Sequence, residues 1–308
     1  MLRFNRRNVL KAGGVLGGSA VLGFPAISRA QATAIKIGHL TPLTGFLGAL
    51  GGYAQLGLRM AEEEINKAGG VMGRPLEVLS EDSVNPATAA TKAQRMLEEN
   101  GAALLMGEIN SASAKTIMQV ADRNKRLFMS IGARSDVLRG RDCNRYTFHV
   151  DIPVTVMVNA AGQALLRDGL VKGKKIYSIT SDYLFGHDLS KAAKAFYAAN
   201  GGTPVGDELV ATDATDFSPY LLKLRQAKPD LVSTNLGGNL VTNFVKQYAE
   251  YGMKLPVLGS QTAADEGILK NMGNEAIGVV TGAWYAAGID SPDNRRFVEA
   301  VNKEYGVD

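Results

Sequence analysis

The chain has 308 residues, 45% of them apolar, which is enough to bury one or two cores, and no stretch suggests disorder or a repeat array. The net charge of +4 belongs to the N-terminus: Arg3, Arg6, Arg7, Lys11 and Arg29 stand without an acid before Thr33, and the 29 basic residues that remain face 30 acidic ones. A nucleic-acid-binding surface has no support in that balance.

The leader comes first along the chain. Asn5-Arg6-Arg7-Asn8-Val9-Leu10-Lys11 resembles the twin-arginine export motif, and Ala12 to Ile27 is a Gly-rich, mildly apolar stretch too short for a membrane span. Ala30-Gln31-Ala32 reads as a cleavage site, so the mature chain is expected to start at Thr33. An ordinary signal peptide or an uncleaved anchor are the alternatives, and on each the protein leaves the cytoplasm. Cys143 is the only cysteine, so no intramolecular disulfide is possible, and it does not follow the leader as a lipid-anchored cysteine would.

From Ile35 onward, apolar β-rich runs alternate with helical stripes, the pattern of a parallel α/β sheet. Ile35 to Thr41 is a β-branched run that ends in a Pro/Gly turn. A loop from Thr41 to Gly52 follows, long, rich in small residues and expected to be unpacked. Further strands are expected at 75–80, 102–106, 127–131, 146–150, 175–180, 204–210, 230–234, 255–259 and 277–282. Leu58, Ala61 and Ile65 share one helix face, as do Val154, Val158, Ala161 and Leu165. Asn85-Pro86 and Ser291-Pro292 open helices, with Pro at the first helical position. The rhythm breaks at Arg134 to Arg145 and again near Thr281 to Tyr285, two candidate crossovers between lobes; a single large sheet is the alternative.

Catalytic constellations are missing. His39, His149 and His187 lie far apart, and no H-E-x-x-H, C-x-x-C, G-x-S-x-G, phosphate-binding loop or G-x-G-x-x-G pattern occurs. No catalytic residue, metal site or cofactor is expected. Polar chemistry gathers instead at strand ends. Gly107-Glu108-Ile109-Asn110-Ser111-Ala112-Ser113 opens a helix whose unpaired amides suit a carboxylate, although Asn110 or Ser111 serving as a simple cap explains the same residues. Arg134 follows Ala133 at the next strand end and suits bidentate pairing with a carboxylate; it equally suits an outward pairing with Asp136 or Glu108.

Ile35 to Gly45, Ala61 to Ser83 and Ser181-Asp182-Tyr183-Leu184-Phe185-Gly186 together resemble the periplasmic substrate-binding proteins of the leucine/isoleucine/valine type, over essentially all of 35–308. The resemblance implies an α/β fold of two doubly wound parallel-sheet lobes joined by a hinge. Its expected divisions are a signal peptide at 1–32, lobe I at 33–152, lobe II at 153–280 and a return to lobe I at 281–308. It implies an exported, soluble, periplasmic monomer that closes on a small-molecule ligand and serves the membrane permease of an ABC transporter. Ser111 stands where the family clamps the ligand's carboxylate, with Ser113, Ala133 and Arg134 beside it. Phe185 matches the aromatic that closes over the ligand and Tyr183 is its neighbour; packing of both rings in the lobe core is the bland alternative. Gly237 and Gln261 lie on strand-end loops facing the cleft. Thr215-Asp216-Phe217-Ser218 also matches a family motif but reads as a helix cap.

Two departures bear on the ligand. Amino-acid binders have an acid at the position of Gln261, and an uncharged amide cannot supply the charge-assisted bond that a buried ammonium needs. With Arg134, this favours a carboxylate lacking an α-ammonium, such as an aromatic or keto acid, or an amide; Glu108 and Asp182 are possible replacement acids. Family members also continue past a point like Asp308, so the C-terminal part of the first lobe is expected to be missing, as in a fragment or truncated reading frame. A ligand-sensing module of a receptor on the same fold is the rival reading, and it requires a membrane span or DNA-binding helices that the mature sequence does not show.

Overall fold

The computed structural model describes residues 33–259, 269, 272–282 and 285–306. The leader, Gln261 and Trp284 lie outside them. Two five-stranded sheets with all-parallel pairing make two α/β lobes. In the first, β1 (Ile35–Thr41), β2 (Leu76–Asp82), β3 (Leu104–Gly107), β4 (Phe128–Ser130) and β5 (Thr147–His149) lie in the order β2-β1-β3-β4-β5. In the second, β6 (Lys175–Ser181), β7 (Thr203–Val210), β8 (Leu231–Asn235), β9 (Val257–Gly259) and β10 (Val279–Thr281) lie in the order β10-β9-β8-β6-β7. Both sheets therefore reverse their winding direction beside their first strand, between β1 and β3 and between β6 and β8. In an open α/β sheet that reversal opens a crevice at the carboxyl ends of the strands. Every strand expected from sequence is present, shifted by a residue or two at its ends.

The crossovers run through α1 (Gly48–Lys67), α2 (Pro86–Glu98), α3 (Ser111–Asn124), α4 (Val154–Arg167), α5 (Leu184–Ala199), α6 (Ser218–Ala227) and α7 (Asn239–Glu250), and α8 (Pro292–Tyr305) ends the described chain. Caps explain several starts. Asn85 accepts from the Thr88 amide at 2.9 Å, and Ser291 from that of Asn294 at 3.1 Å. Asp216 accepts from the Ser218 amide at 2.9 Å, so the Thr215–Ser218 stretch is a helix start as read. Asn85→Ala is expected to cost about 1 kcal/mol in urea unfolding, the ordinary worth of such a cap.

The second sheet is covered on both faces. Leu231 and Val232, neighbours in β8, enter opposite cores: one holds Ile176, Phe185, Phe196 and Leu258, the other Ile179, Phe217, Phe244 and Tyr248. This is the two-residue period of a strand buried on both sides. Among the described residues the first sheet has one such core, formed by Leu40, Leu105 and Phe128 against Ala93 and Met96 of α2 and Ile117 and Met118 of α3. No α1 residue joins it. The Leu58, Ala61 and Ile65 face is consequently not a buried one: Leu58 is half-buried, and Ala61 and Ile65 are exposed. Periodicity locates a stripe but cannot say what covers it. On α4 the expected face holds, with Val154, Val158 and Leu165 buried beside Met157.

The loop after β1 is also shorter and better packed than expected. A 3₁₀ turn at Gly45–Leu47 leads straight into α1, and Leu47 is buried. Gly51 permits this: a Cβ there would lie 1.7 Å from the Pro42 carbonyl oxygen. Among the described residues no helix is long and apolar enough to cross a membrane.

Candidate functional site

The carboxyl edge of the first sheet is built from residues that leave their strands abruptly. Gly107 and Glu108 both take positive φ, 119° and 66°. This turn lets the Glu108 side chain curl back, so that Oε1 accepts from the amides of Ile109 (3.0 Å) and Asn110 (2.7 Å). Asn110 then caps α3, accepting from Ala112 (2.9 Å) and Ser113 (3.3 Å). The amides expected to receive a carboxylate are thus engaged by two side chains of the turn itself, and Asn110, rather than Ser111, is the cap. Ser111 is fully buried, and its hydroxyl accepts from the Ser135 amide at 3.3 Å. That bond joins the Ser111 turn to the segment carrying Ala133 and Arg134. Ser113 is buried in the first turn of α3.

Arg134 pairs neither with Asp136 nor with Glu108. Its Nε donates to Asp151 Oδ2 at 2.5 Å, and both side chains are largely buried, at 12% and 14% exposure. Arg139 braces the pair from behind, donating to the carbonyls of Ala133 (3.0 Å) and Asp151 (2.7 Å). The same segment meets the second lobe. The Val154 amide donates to the Arg134 carbonyl at 3.0 Å, Asp136 accepts from Thr155, and Asp188 of α5 accepts from the Ser135 hydroxyl and the Val137 amide.

From the second lobe, Tyr183 stands just before α5. Burial pushes its hydroxyl pKa up, and the positive charge of Arg134 counters part of that rise. The Phe46 ring meets it edge-on, with centroids 5.2 Å apart, and the Phe185 ring lies tilted against it at 5.9 Å. Phe185 itself packs into the lobe core with Leu189 and Phe196. Gly237 donates its amide to the Ser181 hydroxyl at 3.2 Å, and a Cβ there would lie 3.2 Å from the Tyr183 hydroxyl oxygen. Gly238 has φ 56°, and a Cβ on it would stand 2.0 Å from the Phe46 carbonyl oxygen. Ser111, Ala133 and Arg134 thus lie on neighbouring segments of the first lobe, Tyr183 and Gly237 lie side by side in the second with Phe46 reaching Tyr183 from the first, and Gln261 falls outside the described residues.

Sequence reasoning missed Phe46, Asp151 and Asp188. Phe46 sat in a loop read as unpacked, and Asp151 is separated from Arg134 by 17 positions of irregular chain that no periodicity connects. A cavity of about 350 Å³ lined by His187, Ser190, Lys191, Lys194, Asp207 and Leu209 lies apart, beside α5 and β7. Thr180, Ser190 and Lys194 already satisfy Asp207 there.

Residues 34–308 match the family described as periplasmic binding protein. Leu/Ile/Val-binding protein homolog 6 of Brucella melitensis biotype 1 is 28% identical over 292 residues, covering 91% of this chain and 72% of the relative. A solute-binding protein of an ABC transporter from Rhodopseudomonas palustris BisB5, solved with 3,4-dihydroxybenzoic acid, superposes with a TM-score of 0.80 at 27% identity, covering 89% of this chain and 74% of that one. The amino acid ABC transporter substrate-binding protein of Pseudomonas fluorescens Pf-5 gives 0.77 at 26% identity, covering 89% and 73%. The two lobes, their winding and the match over nearly all of the described chain agree: the protein belongs to the periplasmic binding protein family.

Proposed function

We propose that the protein is the extracytoplasmic solute-binding component of an ABC importer, capturing a small carboxylate ligand between its lobes and delivering it to a membrane permease. In this reading residues 1–32 are a removable twin-arginine-type leader, lobe I spans 33–152, lobe II 153–280, and 281–308 returns to lobe I. The mature protein works as a soluble periplasmic monomer and makes or breaks no bond. Ligand contacts to both lobes stabilise the closed form by differential affinity.

The observations that carry the ligand class are the largely buried Arg134 guanidinium and the edge-on pair of Phe46 and Tyr183 across the lobe boundary. A buried guanidinium suits a carboxylate, and aromatic edges suit a flat apolar body. Both favour an aromatic acid, and the likeness to the protein solved with 3,4-dihydroxybenzoic acid supports it. The relatives named for leucine, isoleucine and valine favour a second reading, an α-amino acid whose ammonium meets Glu108.

Thermal shift on the mature protein separates the two, using benzoate, 3,4-dihydroxybenzoate, phenylalanine, leucine and their keto analogues. A ligand that binds only the folded state raises Tm. Aromatic acids are expected to raise it by several degrees and amino acids not at all. The reverse result overturns the aromatic-acid reading.

A further inference from the structure

Buried side-chain oxygens normally find hydrogen-bond partners, and each one left without costs about 1–3 kcal/mol. Among the described residues several buried polar atoms lack one, and Thr41 Oγ1, Ser83 Oγ, Glu108 Oε2 and Ser130 Oγ share a location. Thr41 is the last residue of β1, Ser83 follows β2, Glu108 follows β3, and Ser130 ends β4. Backbone bonds tie the first three together: the Ser83 amide donates to the Thr41 carbonyl at 2.9 Å, and the Glu108 amide to the Leu40 carbonyl at 2.6 Å. This is the point between β1 and β3 where the first sheet reverses its winding. The Glu108 side chain lies beside the Ser83 hydroxyl, yet neither Ser83 Oγ nor Glu108 Oε2 completes a well-formed hydrogen bond to a described group. One carboxyl oxygen of Glu108 is satisfied twice over, whereas the other has only this loose approach of Ser83.

We propose that Thr41, Ser83 and Glu108 form a polar subsite at the carboxyl edge of the first lobe that receives a hydroxyl group of the bound ligand, separate from the Arg134 and Ser111 carboxylate anchor. A hydroxyl both donates and accepts, matching a set made of two hydroxyls and one carboxyl. The inference rests on the aromatic-acid reading of the site and deepens it: the ligand is a hydroxylated acid, distinguished from its unsubstituted parent at these three side chains. Burial holds the Glu108 carboxyl at about 7, so it carries a proton in part at neutral pH and can donate as well as accept.

The test is isothermal titration of the mature protein with benzoate, 3,4-dihydroxybenzoate and leucine, in the wild type and in Thr41→Val, Ser83→Ala and Glu108→Gln. The dihydroxy acid is expected to bind at least about tenfold tighter than benzoate. Thr41→Val and Ser83→Ala remove most of that advantage without changing benzoate affinity, whereas Glu108→Gln, a neutral isostere, keeps it within about threefold. If both acids bind and neither Thr41→Val nor Ser83→Ala changes their ratio, the subsite is overturned and the aromatic-acid reading stands. If leucine alone binds and Glu108→Gln abolishes it, both fall and Glu108 is an ammonium partner. Binding of no probe also rejects both. Should Thr41→Val or Ser83→Ala fail to fold, the other decides the ratio.

Discussion

Arg134→Met is expected to destabilise the protein by about 3 kcal/mol, because the largely buried Asp151 carboxylate loses the cation bonded to it and keeps only the neighbouring charge of Arg139. The size follows from what remains. Asp151 keeps the Ile152 amide at 2.7 Å as a donor to Oδ1, but Oδ2 loses the guanidinium on which the pair depends. Asp151→Asn should cost less, since an amide carries no charge to strand. The double variant Arg134→Met/Asp151→Asn should be closer to wild type than the sum of the single changes, and urea unfolding of all four proteins measures the coupling. Additive losses would mean that the two side chains act independently. In the ligand titration, Arg134→Met should also weaken every carboxylate by a similar factor, which separates an anchoring role from a purely structural one.

The second large effect is acid sensitivity. His39 is fully buried on β1, bonded through Nδ1 to the Ser80 hydroxyl at 2.8 Å, and burial holds its pKa at about 4 instead of 6.5. Below pH 6.5 the unfolded chain binds a proton there that the folded chain refuses. The stability contributed by a neutral His39 is therefore complete above pH 6.5 and is lost as the pH falls toward 4, by about 3 kcal/mol on the scale of 1.36 kcal/mol per pKa unit. His149 adds in the same direction: burial, then the Arg139 charge, lowers its pKa to about 4 as well. Glu108 acts oppositely. Its carboxyl, raised by burial and by neighbouring Asp82, favours the fold most below pH 4.5, and that advantage is lost as the pH rises to 7. Urea titrations of the wild type and His39→Gln from pH 4 to 7 should show their difference shrinking by about 3 kcal/mol toward acid. A pH-independent difference would show that His39 accepts a proton in place. Glu108→Gln should gain on the wild type across pH 4.5 to 7.

The legibility of this chain follows from the range over which each signal acts. Strand runs and helix stripes are local, so Ile35 to Thr41 or the Val154 face of α4 could be read from spacing alone. Caps are local as well, and Asn85 and Ser291 stand where their Pro neighbours announced them. What covers a face is not local, and Ile65 is exposed on a stripe that looked core-facing. Site partners were the least legible. Arg134 finds its acid across an irregular segment, and Phe46 finds Tyr183 in the other lobe, contacts that only the folded topology creates. The carboxylate turn was recognisable as polar, but nothing in Glu108-Ile109-Asn110 announced that the Glu108 carboxyl would fold back on the two amides that follow it, because that depends on the positive φ of two successive residues.

That fold-back sets the terms on which any anion meets the α3 turn. The Ile109 and Asn110 amides already hold a carboxyl oxygen, so an incoming carboxylate must evict a tethered competitor before it gains those bonds. The gain from those amides is the difference between two similar interactions rather than the whole of one, and the tether keeps the resident group ready to return. On the proposed function such an arrangement favours release, because a departing anion leaves no amide bare behind it.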